Sequence, residues 1–158
     1  MSLLNIKKVT TEGVSVSGLS AMMDQENIEF NSIGFVNWDS FPYKPNVKFR
    51  IAHSDNAILI NYQVEEDSVR AIYGEDNDKV WTDSCVEFFV CPANDGLYYN
   101  IESTCIGTVL LGVGQDRHGR ERASLDVLAG IQRWASLGRK PFEEREGKCS
   151  WELSLIIP

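Results

Sequence analysis

Val47-Lys48-Phe49-Arg50-Ile51-Ala52-His53-Ser54-Asp55-Asn56-Ala57-Ile58-Leu59-Ile60-Asn61-Tyr62-Gln63-Val64 is the stretch that decides the fold class. Val47, Phe49 and Ile51 alternate with Lys48 and Arg50, and Ile58, Ile60, Tyr62 and Val64 alternate again after Ser54-Asp55-Asn56. A helix would return apolar residues every third or fourth position, whereas a period of two places them all on one face of a strand. Ser, Asp and Asn hydrogen-bond their own backbone and so favour a turn. The stretch is predicted to be a β-hairpin with one buried face.

The same reading extends outward along the chain. Ser68 to Tyr73 reads as a further short strand, and Gly74-Glu75-Asp76-Asn77-Asp78 as a polar loop. Ser84 to Cys91 is apolar on both faces apart from Glu87, which predicts a central strand. Pro92-Ala93-Asn94-Asp95-Gly96 is turn chemistry, and strands are expected over Leu97 to Ser103 and Cys105 to Val113. A charged, glycine-punctuated loop follows through Arg122, and Ser124 to Ala129 fits either one helical turn or a short strand. Gly130 to Leu137 and Cys149 to Ile157 read as late strands separated by a loop around Gly138 to Gly147. Short strands at regular spacing predict an all-β, antiparallel β-sandwich with a jelly-roll or immunoglobulin-like two-sheet architecture. At 158 residues and 43% hydrophobic content, one domain over residues 1–158 is expected to build its core without metals or disulfides.

The balance of 15 Lys+Arg against 23 Asp+Glu, a formal charge of −8, argues against nucleic acid and anionic membranes as partners and suits a neutral ligand or a cation. Cys85, Cys91, Cys105 and Cys149 lack the short paired spacing of zinc sites and sit in or beside apolar strands, so they are expected to be reduced packing residues. In an oxidising setting Cys85 and Cys105 would be available to pair. The amino terminus lacks a signal-peptide layout and no apolar run reaches transmembrane length. The compartment stays open: extracytoplasmic if a leader has been removed, cytoplasmic otherwise. The apolar ending Trp151 to Pro158 suggests a chain cut short at its carboxyl end, whose exposed strand edge could support a dimer.

The densest chemistry lies in Val80-Trp81-Thr82-Asp83-Ser84-Cys85-Val86-Glu87-Phe88-Phe89-Val90 and Tyr98-Tyr99-Asn100-Ile101-Glu102. A sugar site needs a flat apolar surface for the C–H face of a pyranose and polar groups for its hydroxyls. Trp81 could supply the first, and Asp83, Glu87, Tyr98, Asn100 and Glu102 the second. The plainer alternative is that Trp81 caps the core, Asp83 orders a turn and Glu87 pairs with an arginine. Glu87 and Glu102 also raise the possibility of a glycosidase pair, but a small sandwich lacks the deep cleft that would raise one pKa and exclude water. Arg117, Arg120 and Arg122 form a basic cluster from which one arginine could reach a ligand, the alternative being a solvated loop. Asp76 and Asp78 are hard oxygen ligands suited to calcium, but they lack EF-hand spacing, and a solvated acidic turn is the simpler reading.

Trp81-Thr82-Asp83-Ser84-Cys85-Val86-Glu87-Phe88-Phe89 resembles the aromatic-x-Asp-Ser-x-x-Glu-x-Phe signature of family 9 carbohydrate-binding modules and related DOMON-like domains. Tyr98 to Glu102 with Gly107, Ile131 to Gly138, and Trp151 to Pro158 are similar to later strands of the bacterial branch of that group. The resemblance covers most of the chain beyond about residue 35. It implies a β-sandwich that binds saccharides without catalysis, often at a chain end between aromatic walls, with structural calcium in some members and no other cofactor. It matches Trp81 to the first wall and Asp83 and Glu87 to the signature acids. The second wall would lie beyond Pro158 unless Trp38 or Trp134 replaces it. The role implied is an accessory module of a polysaccharide-degrading, xylanase-like glycoside hydrolase system. Two rival readings are a DOMON-like haem or redox domain, using Met22, Met23 and His53, and a structural docking sandwich.

Overall fold

The computed structural model describes residues 3–158, and they form two packed β-sheets. The six-stranded sheet contains β1 (Lys7–Lys8), β2 (Asn31–Ile33), β3 (Asn46–His53), β4 (Ile58–Ala71), β9 (Gln132–Ala135) and β10 (Phe142–Ile157), in the order β1-β3-β4-β10-β9 with β2 also paired to β3. The four-stranded sheet runs β5 (Cys85–Val90), β6 (Tyr98–Thr104), β7 (Val109–Gly114), β8 (Glu121–Arg122). Every pairing is antiparallel except β1 with β3.

The predicted hairpin is β3–β4, with His53 opposite Ile58 and Ser54 N–H bonded to the Ala57 carbonyl at 2.8 Å. Its apolar positions Ile51, Ile60, Tyr62 and Val64 enter the core between the sheets, where they meet Trp151, Leu153 and Leu155 of β10 and Val86, Ile101 and Leu111 of the facing sheet. A second apolar cluster lies on the other side of the six-stranded sheet. There α1 (Leu19–Gln25) sets Leu19, Met22 and Met23 against Ala52, Leu59 and Ile156. The spacing of those three helix residues puts them on one face. Among the described residues no helix is long and apolar enough to cross a membrane.

Several expectations are corrected. The segment expected as a separate strand from Ser68 is the end of β4, which runs 14 residues without a break. The loop expected over Gly138 to Gly147 shrinks to its first residues, because β10 begins at Phe142 and pairs with β4 from Ala71 to Ile58, with irregular register near Arg145 and Cys149. The first residues of β10 are largely exposed on both faces, so no apolar alternation marks them, whereas Val69 and Ala71 at the end of β4 still alternate into the core. The strand over Ser84 to Cys91 is not central: β5 forms an edge, and Phe89 stays 56% exposed on its outer side. Leu125–Ala129 is a short helix, α2, with Ser124 Oγ accepting from Val127 N–H.

Candidate functional site

The alternation that buries Val86, Ile101 and Leu111 turns the opposite residues of β5 and β6 outward. Across these strands Glu87 stands directly opposite Glu102, and Phe89 opposite Asn100. Asn100 is opposite Gly112, which in turn faces Arg122. The outer face therefore carries a cross-strand array of Glu87, Phe89, Tyr98, Asn100 and Glu102.

Two glycines give this face its shape. Gly112 and Gly114 of β7 leave room for Arg120 to lie across the sheet; a Cβ at Gly114 would stand 3.0 Å from Arg120 Cα. The Arg120 guanidinium reaches 5.9 Å from the Tyr98 ring centroid, and the Tyr98 and Phe89 rings sit 6.0 Å apart. Beneath this cover Asn100 and Glu102 are nearly buried. Asn100 Nδ2 donates to Glu102 Oε1 at 2.8 Å and reaches Glu87 Oε2 at 3.5 Å. Asn100 Oδ1, Glu102 Oε2 and Arg120 Nη1 are buried with no protein hydrogen-bond partner. Orphaned groups of this kind are costly, and here two acceptors and a donor lie unpaired on one face.

Burial, reinforced by the like charge of Glu87, pushes the Glu102 carboxyl above its usual range, and Arg120, Arg122 and Arg117 oppose the shift. Cys85, on the same side of β5 as Glu87, is pushed up to about 12 by burial and then by the neighbouring carboxylates. Cys105, in the core, is also pushed up to about 12 by burial. These thiols stay protonated, and all four cysteines are free, so Cys85 and Cys105 do not pair here. Glu87 and Glu102 share one amide on an open face.

Trp81 lies in the 3-10 turn Val80–Thr82 that leads into β5 and packs against β6. Val80 is fully buried and anchors the turn, leaving Trp81 49% exposed. Asp83 belongs elsewhere. Its side chain has no exposed surface; Oδ1 accepts from Arg70 Nε at 3.1 Å and Oδ2 from Tyr73 N–H at 3.0 Å. The expectation that Asp83 meets the ligand is therefore corrected: it ties the end of β4 to the start of β5. Arg117 is exposed in the loop beyond the sheet, and Arg122 bonds the Asn77 carbonyl.

The acidic loop is also structural. Asp76 Oδ1 accepts from Arg133 Nη1 at 2.6 Å and from Val109 N–H at 2.9 Å, while Asp78 Oδ1 accepts from Lys79 N–H at 2.8 Å. The two carboxylates are engaged separately, and among the described residues no group of three or more His, Cys, Asp or Glu converges on a metal position. The set considered for haem does not converge either: Met22 and Met23 pack in the apolar cluster under α1, and His53 Nδ1 lies 3.0 Å from the Ser54 carbonyl. Neither alternative aromatic wall joins the site, since Trp134 lies on β9 of the other sheet and Trp38 in the segment that connects β2 and β3 of that sheet.

Phe89, Gly112 and Gly114 were missed by sequence reasoning. The available signal was an apolar outer position on β5 facing two glycines in β7, which marks a strand that another group must approach closely.

A model of carbohydrate-binding family 9 matches residues 17–158. A crystal structure from Bacteroides uniformis ATCC 8492, described as that of a "putative carbohydrate-binding protein", superimposes with a TM-score of 0.94 at 47% identity, covering 98% of this chain and 72% of that one. No curated protein matches.

Proposed function

Because the chain belongs to carbohydrate-binding family 9, we propose that the outer face of the four-stranded sheet is its saccharide site. The observation that carries the assignment is the set of orphaned atoms, Asn100 Oδ1, Glu102 Oε2 and Arg120 Nη1, buried on one face. A pyranose hydroxyl both donates and accepts, so adjacent hydroxyls satisfy carboxylate, amide and guanidinium together. Trp81 offers a ring for stacking, Tyr98 supports Arg120, and Glu87 completes the acceptor set. Arg117 contributes charge rather than contact. The protein serves as a non-catalytic accessory module that holds a polysaccharide-degrading, xylanase-like system on its substrate.

Few polar contacts and one stacked ring imply affinities no tighter than about micromolar. Isothermal calorimetry against neutral mono- and oligosaccharides, xylose and glucose series included, tests the assignment. Binding that falls about tenfold or more in Arg120→Ala supports it. Flat traces throughout, or undiminished binding by Arg120→Ala, would overturn it.

Glu102→Gln separates binding from stability. A carboxyl whose folded-state pKa is raised holds its proton more tightly folded than unfolded, so its ionisation opposes folding at neutral pH. The amide carries no such penalty. The variant is expected to melt higher than wild type at pH 7, with the difference closing as pH falls through the raised folded-state pKa toward the ordinary carboxylate range. Its saccharide affinity is expected to drop about tenfold, because a charge-assisted acceptor is lost. Thermal melts from pH 4 to 8, each paired with calorimetry, give both readings.

A further inference from the structure

The outer face of the six-stranded sheet holds a groove of about 320 Å³, lined by Asn46, Lys48, Gln63, Glu65, Ser150 and Glu152 among others. It lies across the sandwich from the site proposed above, and nothing in that assignment uses it. Cross-strand register sets its floor in rows: Asn46–Glu65–Ser150, then Lys48–Gln63–Glu152. The next row, Arg50–Asn61–Ser154, closes it on the side of α1. There Arg50 Nε donates to Asn61 Oδ1 at 3.0 Å, and Asn61 Nδ2 donates to Glu152 Oε1 at 2.7 Å and Ser154 Oγ at 3.1 Å. Arg50 is itself held by Asp24 at 2.5 Å and by Ser20. Glu152 is thus fixed in place by a buried network, and the groove floor is preorganised.

We infer that this groove is a second binding site and that it takes an extended neutral oligosaccharide. Its charges alternate, with Lys48 between Glu65 and Glu152, its other outward side chains are the amides of Asn46 and Gln63 and the hydroxyls of Ser136 and Ser150, and Val64 and Trp151 border it as well. An apolar segment laid here would strip water from three charges without replacing their hydrogen bonds. A polyanion would meet two carboxylates in a chain of net charge −8. A polyhydroxylated chain satisfies donors and acceptors of both kinds. Four adjacent strands, from β9 to β3, span about 14 Å, enough for two to three sugar rings laid across them. Past the Glu65 row Tyr43, whose hydroxyl accepts from Asp67 N–H at 2.8 Å, is 55% exposed, and Trp38 and Phe41 of the same connecting segment are exposed too. These rings offer stacking surface where a chain would leave the groove.

The test uses a Trp81→Ala/Asn100→Ala background, which disables the first site, and the hexaoses of xylose, glucose and mannose in β-1,4 linkage as probes. Side-chain amide resonances of Asn46 and Gln63 report occupancy by NMR. At least one hexaose is expected to shift both, to bind about tenfold tighter than its disaccharide, and to weaken at least fivefold in Gln63→Ala or Lys48→Ala; both residues are exposed, and these changes leave the fold intact. The inference is overturned if no hexaose at about 10 mM moves these resonances, if the shifts survive both substitutions undiminished, or if they follow protein concentration, which would mark a self-association face. Failure of the first site leaves a different pattern. Wild-type binding would then ignore Trp81→Ala while the groove still titrates.

Discussion

Asp83→Ala is expected to lower stability by about 3 kcal/mol and the melting temperature by about 6–12 °C. The Asp83 carboxylate has no exposed surface, and it holds both the Arg70 guanidinium and the Tyr73 amide. Removing it leaves a buried donor unmet and frees the junction between β4 and β5, which carries the turn with Trp81. Asp83→Asn retains an acceptor and is expected to recover part of the loss. Circular dichroism melts measure the effect. Calorimetry well below the lowered melting temperature distinguishes the structural role from ligand contact, because binding by Asp83→Ala is expected to persist there. If saccharide binding vanished while the melting temperature stayed within about 2 °C of wild type, the structural role would be refuted.

Trp81→Ala is expected to act chiefly on binding. The ring is half exposed and Val80 fills the core beside it, so stability should fall by about 1–2 kcal/mol, less than for Asp83→Ala. Loss of a central aromatic contact costs about 2 kcal/mol of binding, roughly a 30-fold rise in Kd. Tryptophan fluorescence gives an independent readout: saccharide at the first site should perturb the wild-type emission, and the perturbation should disappear in Trp81→Ala. An unchanged Kd would remove Trp81 from the site and leave the polar set to act alone.

The pair shows how far one motif could be read. Trp81-Thr82-Asp83-Ser84-Cys85-Val86-Glu87 carried the family resemblance and pointed to the region of the proposed site, and it held both acids equally as candidates. Their roles separate only in three dimensions. Glu87 has outer-face parity on β5 and lies opposite Glu102, whereas Asp83 precedes the strand and turns inward to Arg70. Arg120 was visible as a member of a basic run. Its distinction from Arg117 rests on the space above Gly112 and Gly114, made by a strand that sequence proximity alone does not place beneath it. Asp76 read as a candidate cation ligand, and its ion pair with Arg133, distant in the chain, is visible only in the fold.

Local pattern by itself determined the β class, the β3–β4 hairpin and the turns that end the strands, because side-chain alternation and turn chemistry act between near neighbours. It also determined the acidic field that disfavours polyanions. Tertiary structure alone decided that β5 is an edge, that the charged residues of β4 and β10 continue as one ribbon, and that Asn100, Glu102 and Arg120 share an unsatisfied face. Alternation reports which residues share a side of a strand. What covers that side is set by segments far away in the chain, and that coverage separates core from solvent and solvent from binding site.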